Sequence, residues 1–186
     1  MGKTRVIVAG GRDFENYELL KERLDIILAD YENIEIVSGH AKGADLLGEK
    51  YANEKKLPCR VFPAEWKKYP IKAGFIRNSQ MLDYAGEETP LTVAFWDGES
   101  HGTKDTIKKA GAKDITVFIE KYRKDESGTC VFVEEYIVAA VDEYDYELTD
   151  YYLKHTEGKI FTPEEARKIW GLGENGIGGN GETKEK

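Results

Sequence analysis

The stretch Arg5-Val6-Ile7-Val8-Ala9-Gly10-Gly11-Arg12-Asp13 decides the fold class, because a run of apolar residues ends directly on two glycines. An unbroken apolar run of this length indicates a strand that is buried on both faces. Apolar residues then recur at helical spacing from Tyr17 to Tyr31, which predicts an amphipathic helix. A buried strand, a glycine turn and a helix in this order are typical of a parallel α/β sheet.

The same alternation continues to about residue 120. Further strands are predicted at Ile34–Val37, Arg60–Pro63, Leu91–Trp96 and Ile115–Ile119, and further helices at Ala44–Lys55, after Gly74 and at Lys104–Ala110. Strands that alternate with helices imply right-handed crossovers, which place helices on both faces of the sheet. We therefore predict an α/β fold class, a Rossmann-like open parallel sheet, over residues 1–120.

The pattern changes in residues 121–170, which we predict to form a C-terminal extension packed on or beside the sheet. A polar, turn-like cluster separates Thr116–Tyr122 from Cys130–Tyr136, which predicts a hairpin. One or two helices are expected to follow, because Thr162-Pro163-Glu164-Glu165 forms a capping box with proline at the first helical position. Residues 171–186 are rich in Gly, Glu and Lys, which predicts a disordered tail.

The segment Glu134–Tyr152 is acidic and rich in tyrosine. Its composition fits an amphipathic cap over the edge of the sheet. It also fits a surface for a partner or a second copy, and the sequence leaves both interpretations open.

Composition limits the function classes. The formal net charge of −8 argues against general binding of nucleic acid or anionic membranes. No apolar run approaches the roughly 20 residues that a membrane span needs, and the N-terminal apolar stretch is too short for a signal peptide. We therefore expect a cytoplasmic protein. The three histidines, Cys59 and Cys130 have no metal-like spacing, so neither a metal site nor a cofactor is predicted.

Three glycine-containing loops follow three of the predicted parallel strands. They are Gly10–Asp13, Ser38–Gly43 and Asp97–Thr103. Because the carboxyl ends of parallel strands share one edge of a sheet, these loops are expected to converge. Each loop leads into a helix whose first N–H groups and dipole favour an anion. With Arg12, Lys42 and Lys104 in or beside them, the loops predict a phosphate-binding site. Neither a P-loop pattern nor a three-glycine dinucleotide fingerprint is present.

Five blocks spread over residues 10–103 make a resemblance specific. They are Gly10-Gly11-Arg12-Asp13-Phe14, Val37-Ser38-Gly39-His40-Ala41-Lys42-Gly43-Ala44-Asp45, Phe62-Pro63-Ala64-Glu65-Trp66, Ala73-Gly74-Phe75-Ile76-Arg77-Asn78 and Phe95-Trp96-Asp97-Gly98-Glu99-Ser100-His101-Gly102-Thr103. Together they resemble the YspA-like branch of the SLOG superfamily, a Rossmann-like set of nucleotide-related binding domains. That superfamily includes phosphoribohydrolases and the DNA-processing protein DprA, and its YspA-like members are mostly regarded as sensors or binders.

The resemblance implies a ligand pocket, and often a homodimer. The implied pocket is lined by Gly11, Arg12, Ser38, Gly39, Lys42, Gly43, Asp45, Arg77, Asn78, Gly98, Ser100, Gly102 and Thr103. The sequence departs from the family pattern in two places. His40 stands where the family usually has a second glycine, which adds a titratable group to the candidate site. Thr106 stands where the phosphoribohydrolases have a catalytic glutamate, which argues against that activity.

The leading hypothesis is a protein that binds or senses a nucleotide or nucleotide-derived phosphate ligand, ADP-ribose-like or a cyclic nucleotide. Arg12, Lys42 and Arg77 would bind phosphate, and Asp45 or Glu49 would hold the sugar. For Arg77, a structural pair with an acidic neighbour is the alternative. His40 is either a phosphate contact, an acid–base residue or a plain hydrogen-bonding residue.

Two other functions stay open. One is hydrolysis of the N-glycosidic bond of a nucleotide, with Glu49 or Asp97 as the candidate catalytic carboxylate that activates water. The other is a DNA-processing accessory role, which the negative charge disfavours. The sequence identifies neither the ligand nor the oligomeric state, and it leaves open whether the ligand is cleaved.

Overall fold

The computed structural model describes residues 2–138 and the backbone of residues 159–161. Within them, the strands are β1 (Thr4–Gly10), β2 (Ile34–Ser38), β3 (Cys59–Val61), β4 (Thr89–Trp96), β5 (Thr116–Lys124), β6 (Cys130–Val138) and β7 (Lys159–Phe161). The helices are α1 (Tyr17–Ile27), α2 (Ala44–Lys55), α3 (Ala73–Ala85) and α4 (His101–Ala112).

The seven described strands form one sheet in the order β3-β2-β1-β4-β5-β6-β7. The first five are parallel to one another, β6 runs antiparallel to β5, and β7 is parallel to β6. The chain therefore leaves β1 toward one edge of the sheet and returns to the other side of β1 at β4. This confirms the predicted Rossmann-like α/β fold, and it places the switch in strand order between β1 and β4.

Side chains of β1 alternate between two apolar layers. Val6 and Val8 pack with Leu20 and Leu24 of α1 on one face of the sheet. Ile7 packs on the opposite face, in a layer that includes Met81 and Leu82 of α3 and Ile107 and Ala110 of α4. Because both faces of β1 are covered, its continuous apolar run is explained, and the prediction of helices on both faces is confirmed.

The predicted hairpin is present as β5 and β6, which pair from Val117↔Val138 to Lys124↔Cys130 with an irregularity between Lys121 and Tyr122. The pairing of β7 was not predicted. The domain boundary predicted at residue 120 falls inside β5, and the division of the chain remains a prediction. The predicted helices after residue 162, the predicted tail at 171–186 and most of the acidic tyrosine-rich segment lie outside the described residues.

Candidate functional site

A cleft of about 420 Å³ opens at the carboxyl ends of β1 and β4, at the switch in strand order. Its volume falls within the roughly 300–1,000 Å³ of small-molecule sites. Residues from all three glycine loops line it, as the sequence predicts. The predicted residues on its wall are Gly11, Arg12, Asp45, Arg77, Asn78, Asp97, Ser100, Gly102 and Thr103.

A second compartment of about 370 Å³ adjoins this cleft. It shares Arg12, Ala41, Trp66 and Arg77 with the cleft. Its own wall brings in the predicted residues Gly39, His40 and Lys42. One ligand that passes Arg12 would therefore contact both compartments.

The N-terminus of α4 is open to an anion. Its N-cap residue Ser100 makes no side-chain hydrogen bond to the helix backbone, and its hydroxyl lies 3.1 Å from that of Thr103. The Asp97 carboxylate accepts the N–H groups of Glu99 and Ser100, each at 2.8 Å, and so shapes the turn before the helix. Within residues 2–138, the N–H groups of His101, Gly102 and Thr103 make no hydrogen bond, so they remain available to a ligand in the cleft.

The N-terminus of α2 is closed instead. Backbone carbonyls already accept two of its first N–H groups, Ala44 N–H to Gly11 O at 3.3 Å and Leu46 N–H to Ala41 O at 3.3 Å. Gly43, the N-cap, has φ +90° and packs on the backbone of the β1 loop. The resemblance implies that Gly43 lines the ligand pocket; within the described residues, Gly43 makes this close approach between two loops.

Arg77 is buried in a polar cluster. Its Nη1 donates to the carbonyl of Gly39 and lies 3.5 Å from Oδ2 of Asp45, while its Nε donates to Oδ1 of Asn78 at 3.0 Å. A Cβ atom on Gly39 would lie 2.0 Å from Nη1, so any side chain there would displace the guanidinium. Burial lowers the pKa of Arg77, and the charge of Arg12 lowers it further. Arg77 therefore forms a structural pair with Asp45, which is the alternative that the sequence left open.

Arg12 and Lys42 are exposed cations, and no ion pair within residues 2–138 involves either of them. The guanidinium carbon of Arg12 lies 5.8 Å from the centre of the Trp66 ring. Cations without a protein partner at a cleft are free to bind an anionic ligand. Arg12 is the better placed of the two, because it borders both compartments.

The apolar wall of the cleft was predicted only in part: the sequence left Trp66 as a core or pocket-wall residue, and no such role was predicted for Ile71 or Phe75. Trp66, Ile71 and Phe75 line it with 46%, 85% and 42% of their surface exposed. Exposed aromatic surface in a cleft indicates contact with a flat apolar group. The sequence around these residues has no helical or strand period, and only their place in the resemblance blocks signalled Trp66 and Phe75.

Five predicted residues line neither compartment: Ser38, Gly43, Glu49, Gly98 and Lys104. Gly98 lies in the turn between β4 and α4. Ser38 is fully buried and donates a hydrogen bond to Oε1 of Glu49 at 2.7 Å. The same oxygen lies 2.9 Å from Nδ1 of His40, so Glu49 reaches the second compartment only through the imidazole.

The buried Asp45 makes the stability of the fold depend on pH. Burial raises the pKa of Asp45 to about 6, against the opposing charge of Arg77. The folded state therefore holds this proton to higher pH than the unfolded chain does. The contribution of this carboxyl to stability is complete below about pH 4 and is lost as pH rises through about 6.

We expect Asp45→Asn to remove this dependence. Relative to the parent, the free energy of unfolding of the variant should rise by roughly 3 kcal/mol between about pH 4 and pH 7. Urea unfolding across this range measures the difference, with Glu126→Gln on the exposed β5–β6 turn as the control. Parallel curves for Asp45→Asn and the parent would contradict the burial of an ionisable Asp45.

The described residues contain no cluster of three or more His, Cys, Asp or Glu side chains that could hold a metal ion. Cys59 and Cys130 are both free thiols. Among the helices of the described part of the chain, none has the length and apolar character to cross a membrane.

Comparison with known proteins bears on the family. No curated protein matches the chain, and no solved structure matches it. A family model does match, at residues 4–69, which carry β1 to β3 and the segment up to Trp66 and Tyr69. These residues include the first two glycine loops of the candidate site. The resemblance expected from the sequence is thereby confirmed: residues 4–69 match the model of the YspA, cpYpsA-related SLOG family.

Proposed function

We propose that the cleft between β1 and β4 binds a nucleotide-derived phosphate ligand. The main support is that one cleft at the switch in strand order combines three features. They are the open N-terminus of α4, the exposed aromatic wall, and Arg12, which forms no ion pair within residues 2–138. The match to the SLOG family model suggests nucleotide-related binding or processing, which supports the proposal.

The three features match two parts of such a ligand. A phosphate would accept hydrogen bonds from the first N–H groups of α4 and pair with Arg12. A nucleobase would stack against Trp66 and Phe75, whose exposed rings form the apolar side of the cleft. An ADP-ribose-like ligand or a cyclic nucleotide would satisfy both requirements.

The experiment is a panel of AMP, NAD, ADP-ribose and a cyclic dinucleotide, in which a bound compound raises the melting temperature. We expect Arg12→Ala to weaken binding by about 10- to 100-fold, because one charge-assisted hydrogen bond contributes about 1.5–3 kcal/mol. Arg60→Ala is the matched control, since Arg60 is an exposed arginine that lines neither compartment. Equal affinities of both variants and the parent would exclude this cleft.

A backbone substitution tests the helix N-terminus separately. His101 is the first residue of α4, and Ser100 before it has ψ +113°, which a following proline accepts. His101→Pro therefore keeps the helix and deletes one N–H donor, whereas His101→Ala deletes only the side chain. We expect weaker phosphate binding by calorimetry for His101→Pro alone. A loss that is the same in both variants would assign the effect to the imidazole.

A further inference from the structure

His40 occupies an uncommon backbone position. Its φ is +57°, in the left-handed region, where residues other than glycine are uncommon and where asparagine, aspartate and histidine are the most frequent of them. Its side chain is 53% exposed. The conformation directs the chain from the end of β2 into the second compartment, which His40 lines together with Arg12 and Lys42.

The imidazole is held by an anchored carboxylate. Oε1 of Glu49 lies 2.9 Å from Nδ1 of His40 and accepts the hydroxyl of the buried Ser38 at 2.7 Å. The backbone N–H of His40 donates to the same hydroxyl at 3.1 Å. A carboxylate on Nδ1 favours the tautomer that carries its hydrogen there, which leaves Nε2 as an acceptor on the opposite side of the ring. This is the orientation that a general base needs.

The charged side chains on the wall of the second compartment favour one class of reaction over another. Its wall contains no carboxylate, and it contains Arg12 and Lys42, which form no ion pair within residues 2–138, together with Arg77, which is paired with Asp45. Breaking an N-glycosidic bond develops positive charge on the sugar, which the two unpaired cations oppose. Attack on phosphorus places negative charge on phosphoryl oxygens, which the same cations stabilise.

We propose that His40, positioned by Glu49, is the general base for hydrolysis of a phosphoanhydride bond in the bound ligand. This inference rests on the proposed function of the cleft. Nε2 of His40 takes a proton from water while the water oxygen forms a bond to phosphorus. The bond from phosphorus to the bridging oxygen breaks, and its electron pair leaves on the second phosphate, beside Arg12 and Lys42. The proton on Nε2 then passes to solvent.

The test uses ADP-ribose as the probe, because hydrolysis of its diphosphate gives AMP and ribose 5-phosphate. The full chain is incubated with ADP-ribose, products are measured by mass spectrometry, and binding is measured separately by calorimetry. We expect AMP to form with one oxygen from labelled water in one product phosphate. Release of free adenine would overturn the assignment to phosphorus.

His40→Gly removes the imidazole and suits the positive φ, so the variant keeps the fold. We expect it to bind ADP-ribose within a few-fold of the parent and to lose turnover by about 100-fold or more, with partial recovery in added imidazole. Glu49→Gln keeps an acceptor for Nδ1 and loses the charge. It should lower kcat by about 10-fold and leave KM unchanged, as a positioning residue would.

The outcomes separate the two proposals. Binding of ADP-ribose without AMP formation above the level of His40→Gly overturns the general base and leaves the binding function standing. Equal turnover by His40→Gly and the parent also overturns it. Absence of binding for the whole nucleotide panel overturns the proposed function itself.

Discussion

Replacement of Arg23 by methionine is expected to lower the free energy of unfolding by about 3–5 kcal/mol. Arg23 of α1 bridges two buried carboxylates, with Nε 2.6 Å from Oε2 of Glu120 and Nη2 2.5 Å from Oε2 of Glu135. Glu120 and Glu135 are 1% and 3% exposed and lie opposite each other on β5 and β6. Burial raises the pKa of Glu120 well above its ordinary value, and the neighbouring Glu135 raises it further.

The loss arises because the variant leaves both carboxyl groups buried without a cation. Their Oε1 atoms already lack a hydrogen-bond partner within the described structure. Urea unfolding measures the effect, and Lys21→Met on the same helix is the control, since the one ion pair of Lys21 within residues 2–138 is with the exposed carboxylate of Glu54. Adding Glu120→Gln to Arg23→Met should recover part of the loss. Equal stability of Arg23→Met and Lys21→Met would contradict the buried cluster.

Gly43→Ala is expected to destabilise the fold by about 3 kcal/mol or more. Gly43 has φ +90° and ψ −132°, a conformation that only glycine adopts readily. A Cβ atom there would lie 2.1 Å from the carbonyl oxygen of Gly11, which is fixed backbone that also accepts the N–H groups of Phe14 and Ala44. The clash would separate the β1 loop from the start of α2.

Gly111→Ala is the matched control for this substitution. Gly111 lies in α4, and nothing lies within 4 Å of a Cβ atom built on it. Alanine there should be neutral or stabilise the chain by up to about 1 kcal/mol, from helix propensity. A melting temperature of Gly43→Ala equal to that of the parent would show that the two loops are not packed as described.

Local sequence patterns predicted most of the fold. The apolar run of β1 indicates a buried strand, and the helical spacing of Leu20, Leu24 and Ile27 indicates a helix with one buried face. Each of these patterns can be recognised within its own segment. Such patterns also predicted the β5–β6 hairpin. They did not predict the pairing of β7, because this pairing depends on contact with β6 and not on a pattern within the three residues of β7.

The candidate site was predicted less completely. Glycine loops and the order of strands predicted its place at the carboxyl edge of the sheet. The burial of Arg77 against Gly39, 38 residues away along the chain, has no local signal. The cluster around Arg23 likewise joins residues 97 and 112 positions apart. The difference between the open α4 and the closed α2 N-terminus depends on which backbone carbonyl reaches each helix.

Crystals grown with the panel compound that most raises the melting temperature would test most directly whether the cleft between β1 and β4 binds a nucleotide-derived phosphate. We expect ligand density with a phosphate within hydrogen-bond distance of the first N–H groups of α4 and of Arg12, and with the base against Trp66. Density for the bound compound at any other surface, with this cleft filled only by water, would contradict it.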